Sequence, residues 1–148
     1  MNQTTCNLLG TYSHSVDDKG RVVLPRKFRE PFMSEAVLSL GDHGALMLYS
    51  AEEWAYRREE LLNRLRTGDM AERDEVRRVL MHLEDVRLDK AGRIALPGEL
   101  QKLAGITDQV QILGGITHVE LWDPEAYQRV LGAPTGVNSE KAELNNEA

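Results

Sequence analysis

The chain has one cysteine, Cys6, in 148 residues, so it has no internal disulfide. Aromatic residues make up only 5%, which leaves an aliphatic core. No apolar run approaches the ~20 residues of a membrane-spanning helix, and Met1–Cys6 lacks the basic and apolar regions of a signal peptide. A cytoplasmic, reducing location is the expectation, with no membrane contact. The chain also lacks net positive charge. Its formal charge of -6 taken alone argues against nucleic acid as a partner.

Signatures of catalysis and of bound cofactors are missing too. His14, His43, His82 and His118 form no close pair with one another or with Cys6, so no zinc site is expected. There is no Gly-Lys-Ser/Thr phosphate loop, and Gly114-Gly115 reads as a turn. Asp17 and Asp18 are the nearest thing to an acid pair, but adjacent side chains on a strand point to opposite faces, which makes a poor dyad. The reading is a non-enzyme with no cofactor and no metal.

What is present is a phrase written twice. Asp17–Pro25 reads DDKGRVVLP and Asp89–Pro97 reads DKAGRIALP. Further on, matched at an offset of 73, Val37–Gly41 pairs with Val110–Gly114 and Leu48–Glu52 with Leu121–Glu125. One extra residue before Val110 would explain the change of offset from 72. Two copies of a unit of this kind suggest a pseudo-twofold domain in which each half covers the other's apolar face.

Each copy predicts the same elements. Tyr12–Val16 reads as a strand, and a glycine turn leads to a strand at Arg21–Leu24 or Arg93–Leu96. Pro25 and Pro97 suit the first turn of a short helix, turning Phe28 and Leu100 to the core. Hairpins follow, turning at Gly41–Gly44 and at Gly114-Gly115. Ser50 and Asp123 suit helix N-caps, with Glu53 completing a capping box after Ser50. Between the copies, Ala51–Arg66 and Asp69–Leu83 predict an antiparallel helical hairpin. Its apolar stripe is Leu61, Leu62, Leu65, Val76, Val79, Leu80 and Leu83.

The charge is unevenly spread: residues 1–50 are net zero, 51–84 are -2 and 85–148 are -4. All five cations of the first section, Lys19, Arg21, Arg26, Lys27 and Arg29, fall within 11 residues. A local field of this kind can bind phosphate whatever the total charge. An arginine suits guanine and the other cations suit phosphate. At the positions of Arg26, Lys27 and Arg29 the second copy has Gly98, Glu99 and Gln101. The first copy is therefore expected to read DNA and the second to build the scaffold. The alternative for Asp17, Arg21, Asp89 and Arg93 is a pair of structural ion pairs at matching corners, with a dual role for Arg21.

The two Asp-x-x-x-Arg phrases, Asp17…Arg21 and Asp89…Arg93, with LYSAEEW and ELWDPEAY, resemble the MraZ family of bacterial transcriptional regulators. The likeness covers about Gly10 to Leu131. It implies an α+β fold of two tandem AbrB-like, swapped-hairpin β-units forming a pseudo-twofold barrel, with a helical hairpin between them and a C-terminal helix. The expected division is an N-terminal extension (1–9), a first unit (10–56), a helical connection (57–84), a second unit (85–132) and a disordered tail (133–148). The likeness also implies a repressor, nucleoid-associated, that binds short direct repeats in double-stranded promoter DNA of the division and cell-wall gene cluster, its own gene included. It implies a homo-oligomeric, octamer-like ring, and a DNA-binding role for Arg21. An AbrB-like antitoxin whose tail binds a toxin is the alternative.

Overall fold

The computed structural model describes residues 6–132; the expected tail and Met1–Thr5 lie outside them. The described elements run β1 (Thr11–Ser15), β2 (Arg21–Val23), β3 (Ala36–Leu40), β4 (Leu46–Ser50), α1 (Ala51–Thr67), α2 (Met70–Leu80), β5 (Leu83–Val86), β6 (Arg93–Ala95), α3 (Gly98–Ala104), β7 (Gln109–Gly114), β8 (His118–Trp122) and α4 (Pro124–Leu131). The fold is α+β. The expected unit boundaries at 56/57 and 84/85 fall inside α1 and β5.

The copies exchange strands. The main sheet is antiparallel, in the order β1-β7-β8-β4-β3-β5, and β2 pairs with β6 in a separate ribbon. If each strand is replaced by its counterpart in the other copy, the same order reads backwards, so an internal twofold passes between β4 and β8. The first strand of each copy pairs with the third of the other, and β2 pairs with β6 of the opposite copy, its own copy adding a single bridge from Val16 to Val22.

Register corrects the sequence alignment. His14 pairs with Val110, and its counterpart Val86 pairs with Ala36. Val110 therefore corresponds to Ala36, an offset of 74, not to Val37. A slip of one residue turns a strand's side chains to the wrong face: the letter match set Leu38 against Gln111, whereas the sheet sets buried Leu38 against buried Ile112. The shared Val, Leu and Gly letters concealed this.

Three layers result. One face of the sheet, with Leu38, Leu46, Leu48, Val110, Ile112, Val119 and Leu121, packs against Val22, Leu24, Ile94 and Leu96 of the ribbon and against Phe28, Phe32, Leu100 and Ile106. The other carries a smaller cluster of Ala45, Met47, Tyr49, Trp122 and Ala126, backed by Trp54, Tyr127 and Val130. Pro25 and Pro97 stand one residue ahead of their helices, in extended conformation. The first copy then makes two 3-10 turns, Arg26–Phe28 and Glu30–Phe32, where the second makes α3. Pro31, with no N–H to donate, fits the break.

Two other local expectations change. Ser50 caps α1 by accepting from the Glu53 N–H at 3.1 Å, but the Glu53 carboxylate accepts from Arg57 Nε at 3.2 Å. The reciprocal capping box is at α2, between Asp69 and Glu72. Leu83 belongs to β5, not to the second helix, where it pairs with Ser39.

The sheet continues ahead of Gly10. Leu8 is 4% exposed in the main core and exchanges backbone hydrogen bonds with Ile116 at 3.0 and 2.8 Å. Its carbonyl lies 2.6 Å from where a Cβ on Gly114 would stand, so Gly114 is required by this crossing. Leu8→Ala is expected to cost about 2–5 kcal/mol, as other buried leucine truncations do. Urea unfolding would show this as a lower midpoint at unchanged slope; an unchanged midpoint would place Leu8 outside the cooperative core.

Candidate nucleic-acid interface

The repeated phrase forms the same corner twice. Asp17 Oδ1 accepts the backbone N–H groups of Lys19 at 2.9 Å and Arg21 at 2.8 Å, while Oδ2 accepts Arg21 Nε at 2.7 Å. Asp89 Oδ1 accepts from Ala91 and Arg93, both at 2.9 Å, and Oδ2 accepts Arg93 Nε at 2.8 Å. The spacing follows from the turn: a carboxylate can bind the second and fourth N–H after it only if the chain reverses between them. Gly20 and Gly92 allow that reversal at φ of 74° and 81°.

Both carboxyls are held below the ordinary aspartate range. The chief cause is the backbone N–H of Arg21 or Arg93, and the guanidinium adds to it. A native pKa below the unfolded value gives stabilisation that is present above the unfolded value and lost as pH falls through the native one.

β2 and β6 then set the two arginines on one surface. Arg21 pairs with Ala95, Val22 with Ile94 and Val23 with Arg93. Val22 and Ile94 are 0% exposed, so Arg21, Val23, Arg93 and Ala95 take the outer face. Arg21 and Arg93 are diagonal neighbours, about 7–8 Å apart at Cα. Each spends Nε on its aspartate. Among the described residues the terminal guanidinium nitrogens of both have no hydrogen-bond partner. The DNA major groove is wide enough to admit a two-stranded ribbon.

The remaining predicted cations have different placements. Lys19 and Arg26 are exposed beside the ribbon. Lys27 folds back, with Nζ 5.4 Å from the Tyr12 ring centre and 5.8 Å from that of Phe28. Arg29 is half-buried, its Nε donating to the Leu24 carbonyl at 2.9 Å and its guanidinium against Gly92. The sequence reading missed Lys90 as part of this surface; it is exposed at the second turn. No local sequence signal marks it; the pairing of β2 with β6 joins the two corners. Residues 17–29 and 89–102 together carry eight cations and four acids, an excess of four positive charges in a chain of net -6.

The histidines singled out near the hairpins lie apart from this surface. His43 sits in the β3–β4 turn and stacks on Trp122, ring centres 6.0 Å apart. His118 Nε2 lies 2.9 Å from Glu120 Oε2. That hydrogen bond, with a second from the Trp122 indole, holds the Glu120 carboxyl below its usual range against burial.

The corner makes a titration prediction. In Arg21→Ala the backbone N–H at position 21 survives, so carbon-detected NMR should still find Asp17 titrating below an ordinary aspartate. A return to the ordinary midpoint would show that the side chain, not the backbone, is the main cause.

Comparison with known proteins agrees with the geometry. The family model described as "MraZ protein, putative antitoxin-like" matches residues 8–77 and 79–143. The chain is 40% identical over 123 residues to "Transcriptional regulator MraZ" of Acetivibrio thermocellus, covering 83% of this chain and 85% of the relative. It is 36% identical over 135 residues to the protein of that name from Kocuria rhizophila, covering 91% and 94%, and 38% identical over 143 residues to that of Spiroplasma kunkelii, covering 95% and 96%. With both repeats matched and the paired Asp-x-x-x-Arg corners built alike, the chain belongs to the MraZ family.

Proposed function

We propose that this chain is a sequence-specific DNA-binding transcriptional regulator, not an enzyme, and that it reads duplex DNA through the β2–β6 ribbon. One observation carries the reading: two motif arginines with unspent guanidinium nitrogens share the exposed face of a ribbon whose flanks are net positive. Arg21 takes guanine O6 and N7 with two donors, and Arg93 stands beside it on the same face. Lys19, Lys90, Arg26 and Lys27 serve phosphate, which supplies affinity and register. The regulatory role follows the printed names of its relatives.

The finer reading comes from the family resemblance. The chain represses the division and cell-wall gene cluster that includes its own gene, binding short direct repeats on the nucleoid as an octamer-like ring. One structural feature supports self-association. No residue of α1 is fully buried, although Trp54, Leu61, Leu62 and Leu65 line an apolar groove with Leu80 of α2. A ring presents the ribbon several times over, so weak contacts to repeated sites sum through effective concentration. This is how an acidic protein holds DNA. The description of the family as antitoxin-like supports the second reading, an AbrB-like antitoxin, which predicts a plain dimer. Light scattering on the purified protein separates the two: many subunits favour the ring regulator, and a dimer favours the antitoxin.

The DNA test compares the duplex upstream of the chain's own gene with a scrambled duplex of equal composition. Each bidentate contact is worth about 1–3 kcal/mol of discrimination, and the loss repeats in every subunit. Arg21→Ala should therefore reduce binding to the non-specific level at unchanged mass. Arg26→Ala should keep the preference and lower the log–log salt slope by about one for each subunit that contacts the duplex. Equal promoter affinity for wild type and Arg21→Ala would remove the proposal.

A further inference from the structure

Residues 29 and 101 occupy matched positions. Each follows a buried anchor, Phe28 or Leu100, at 1% and 3% exposure, and the anchor fixes where the next side chain starts. Both side chains cross the internal twofold. The Arg29 guanidinium lies where a Cβ on Gly92 would stand, and Gln101 Oε1 is 2.9 Å from where a Cβ on Gly20 would stand.

The backbone makes the same crossing. The Leu24 N–H donates to the Gly92 carbonyl at 3.0 Å, and the Leu96 N–H donates to the Gly20 carbonyl at 2.9 Å. In the first copy the path closes. Gly92 accepts from Leu24, Leu24 accepts from Arg29 Nε at 2.9 Å, and the guanidinium returns to Gly92.

From this geometry we infer that Arg29 and Gln101 are positioning residues that lie across the turn glycine of the opposite copy and hold Arg93 and Arg21, respectively, on the ribbon face, and that Arg29 does not grip phosphate. The role in recognition rests on the DNA-binding reading above; the hold on the turns does not. The twin positions show what the contact requires. One copy uses a guanidinium, which only donates, and the other a carboxamide that presents its Oε1; the two share a planar end laid across the glycine but not charge or hydrogen-bonding role. Arg29 is also the cation of the cluster whose Nε is committed to a backbone carbonyl, while Arg26 and Lys19 stand exposed. The turn residues are glycine for two reasons: positive φ, and the side chain lying across each Cα. A turn freed from that cover samples more conformations, and a bidentate base contact tolerates little displacement of the arginine that makes it.

The test uses the full-length protein with Arg29→Ala, Arg29→Gln and Gln101→Ala. Without DNA, amide hydrogen exchange is read at Lys19 and Arg21 and at Ala91 and Arg93. Arg29→Ala should speed exchange about tenfold at Ala91 and Arg93 while sparing Lys19 and Arg21; Gln101→Ala should do the reverse. Arg29→Gln, which copies the twin, should restore slow exchange at Ala91 and Arg93. On the promoter duplex, Arg29→Gln should keep the wild-type salt slope, whereas loss of a phosphate contact lowers it by about one for each subunit that contacts the duplex. Unchanged exchange in both alanine variants, or a reduced slope in Arg29→Gln, overturns the inference. If wild-type protein fails to prefer the promoter duplex, the DNA-binding reading falls, and the exchange pattern alone still decides whether these side chains hold the turns.

Discussion

Everything in this structure depends on the exchange of strands between the two copies. β2 and β6 have three residues each, and a two-stranded pair is marginal by itself. This pair persists because Val22 and Ile94 face each other at its centre and are fully buried under the main sheet. Neither copy can bury its own apolar ribbon residue against itself, so the domain requires both. The surface at the ribbon is therefore a property of the duplicated domain, made at its internal twofold.

Burial at the centre also determines what the outside can display. With Val22 and Ile94 pointing in, the pleat sends Arg21 and Arg93 out. The two aspartates then take one nitrogen from each arginine and fix its direction. The structural and functional explanations of the motif are compatible for this reason. The ion pair uses Nε, and recognition of guanine needs the terminal nitrogens. The ring of hydrogen bonds about Asp17 sets Arg21 in place before any partner arrives, which lowers the entropy lost on binding.

Much of this was legible in the sequence. Gly-Arg followed by three apolar residues and proline gave the corner, the strand and the short helix in both copies, and Ser50 and Asp123 announced their helices. What the letters could not give was pairing. The offset of 73 fits Val37 and Val110 because valine, leucine and glycine recur; the sheet partners of β1 and β5 give 74. Glu53 carried the spacing of a capping box, but Arg57 one turn later offered it an ion pair instead. The five cations were read as one patch because they are close in sequence. Their surroundings separate them, with aromatic rings under Lys27, backbone around Arg29 and open solvent beside Arg26.

In the proposed reading, the pairing gives both copies a part in the DNA-facing surface. Divergence at positions 98, 99 and 101 suggested a reading copy and a scaffold copy, on the assumption that neighbours in sequence share a surface. Exchange breaks that assumption. Arg93 stands diagonal to Arg21, and the turn that carries Lys90 is tied to the first copy through Leu24. Divergence after Pro97 therefore removes charge from one flank of a shared surface without taking the second copy out of it. The difference in backbone has the same sense. Pro31 breaks the first copy's helix into two 3-10 turns beside Arg26 and Lys27, while the second copy, free of that proline, makes a continuous α3 with Glu99 in its first turn. A symmetric ribbon set between unlike flanks has a direction. In the proposed reading such a direction suits sites repeated head to tail, whereas a fully symmetric reader would favour palindromes.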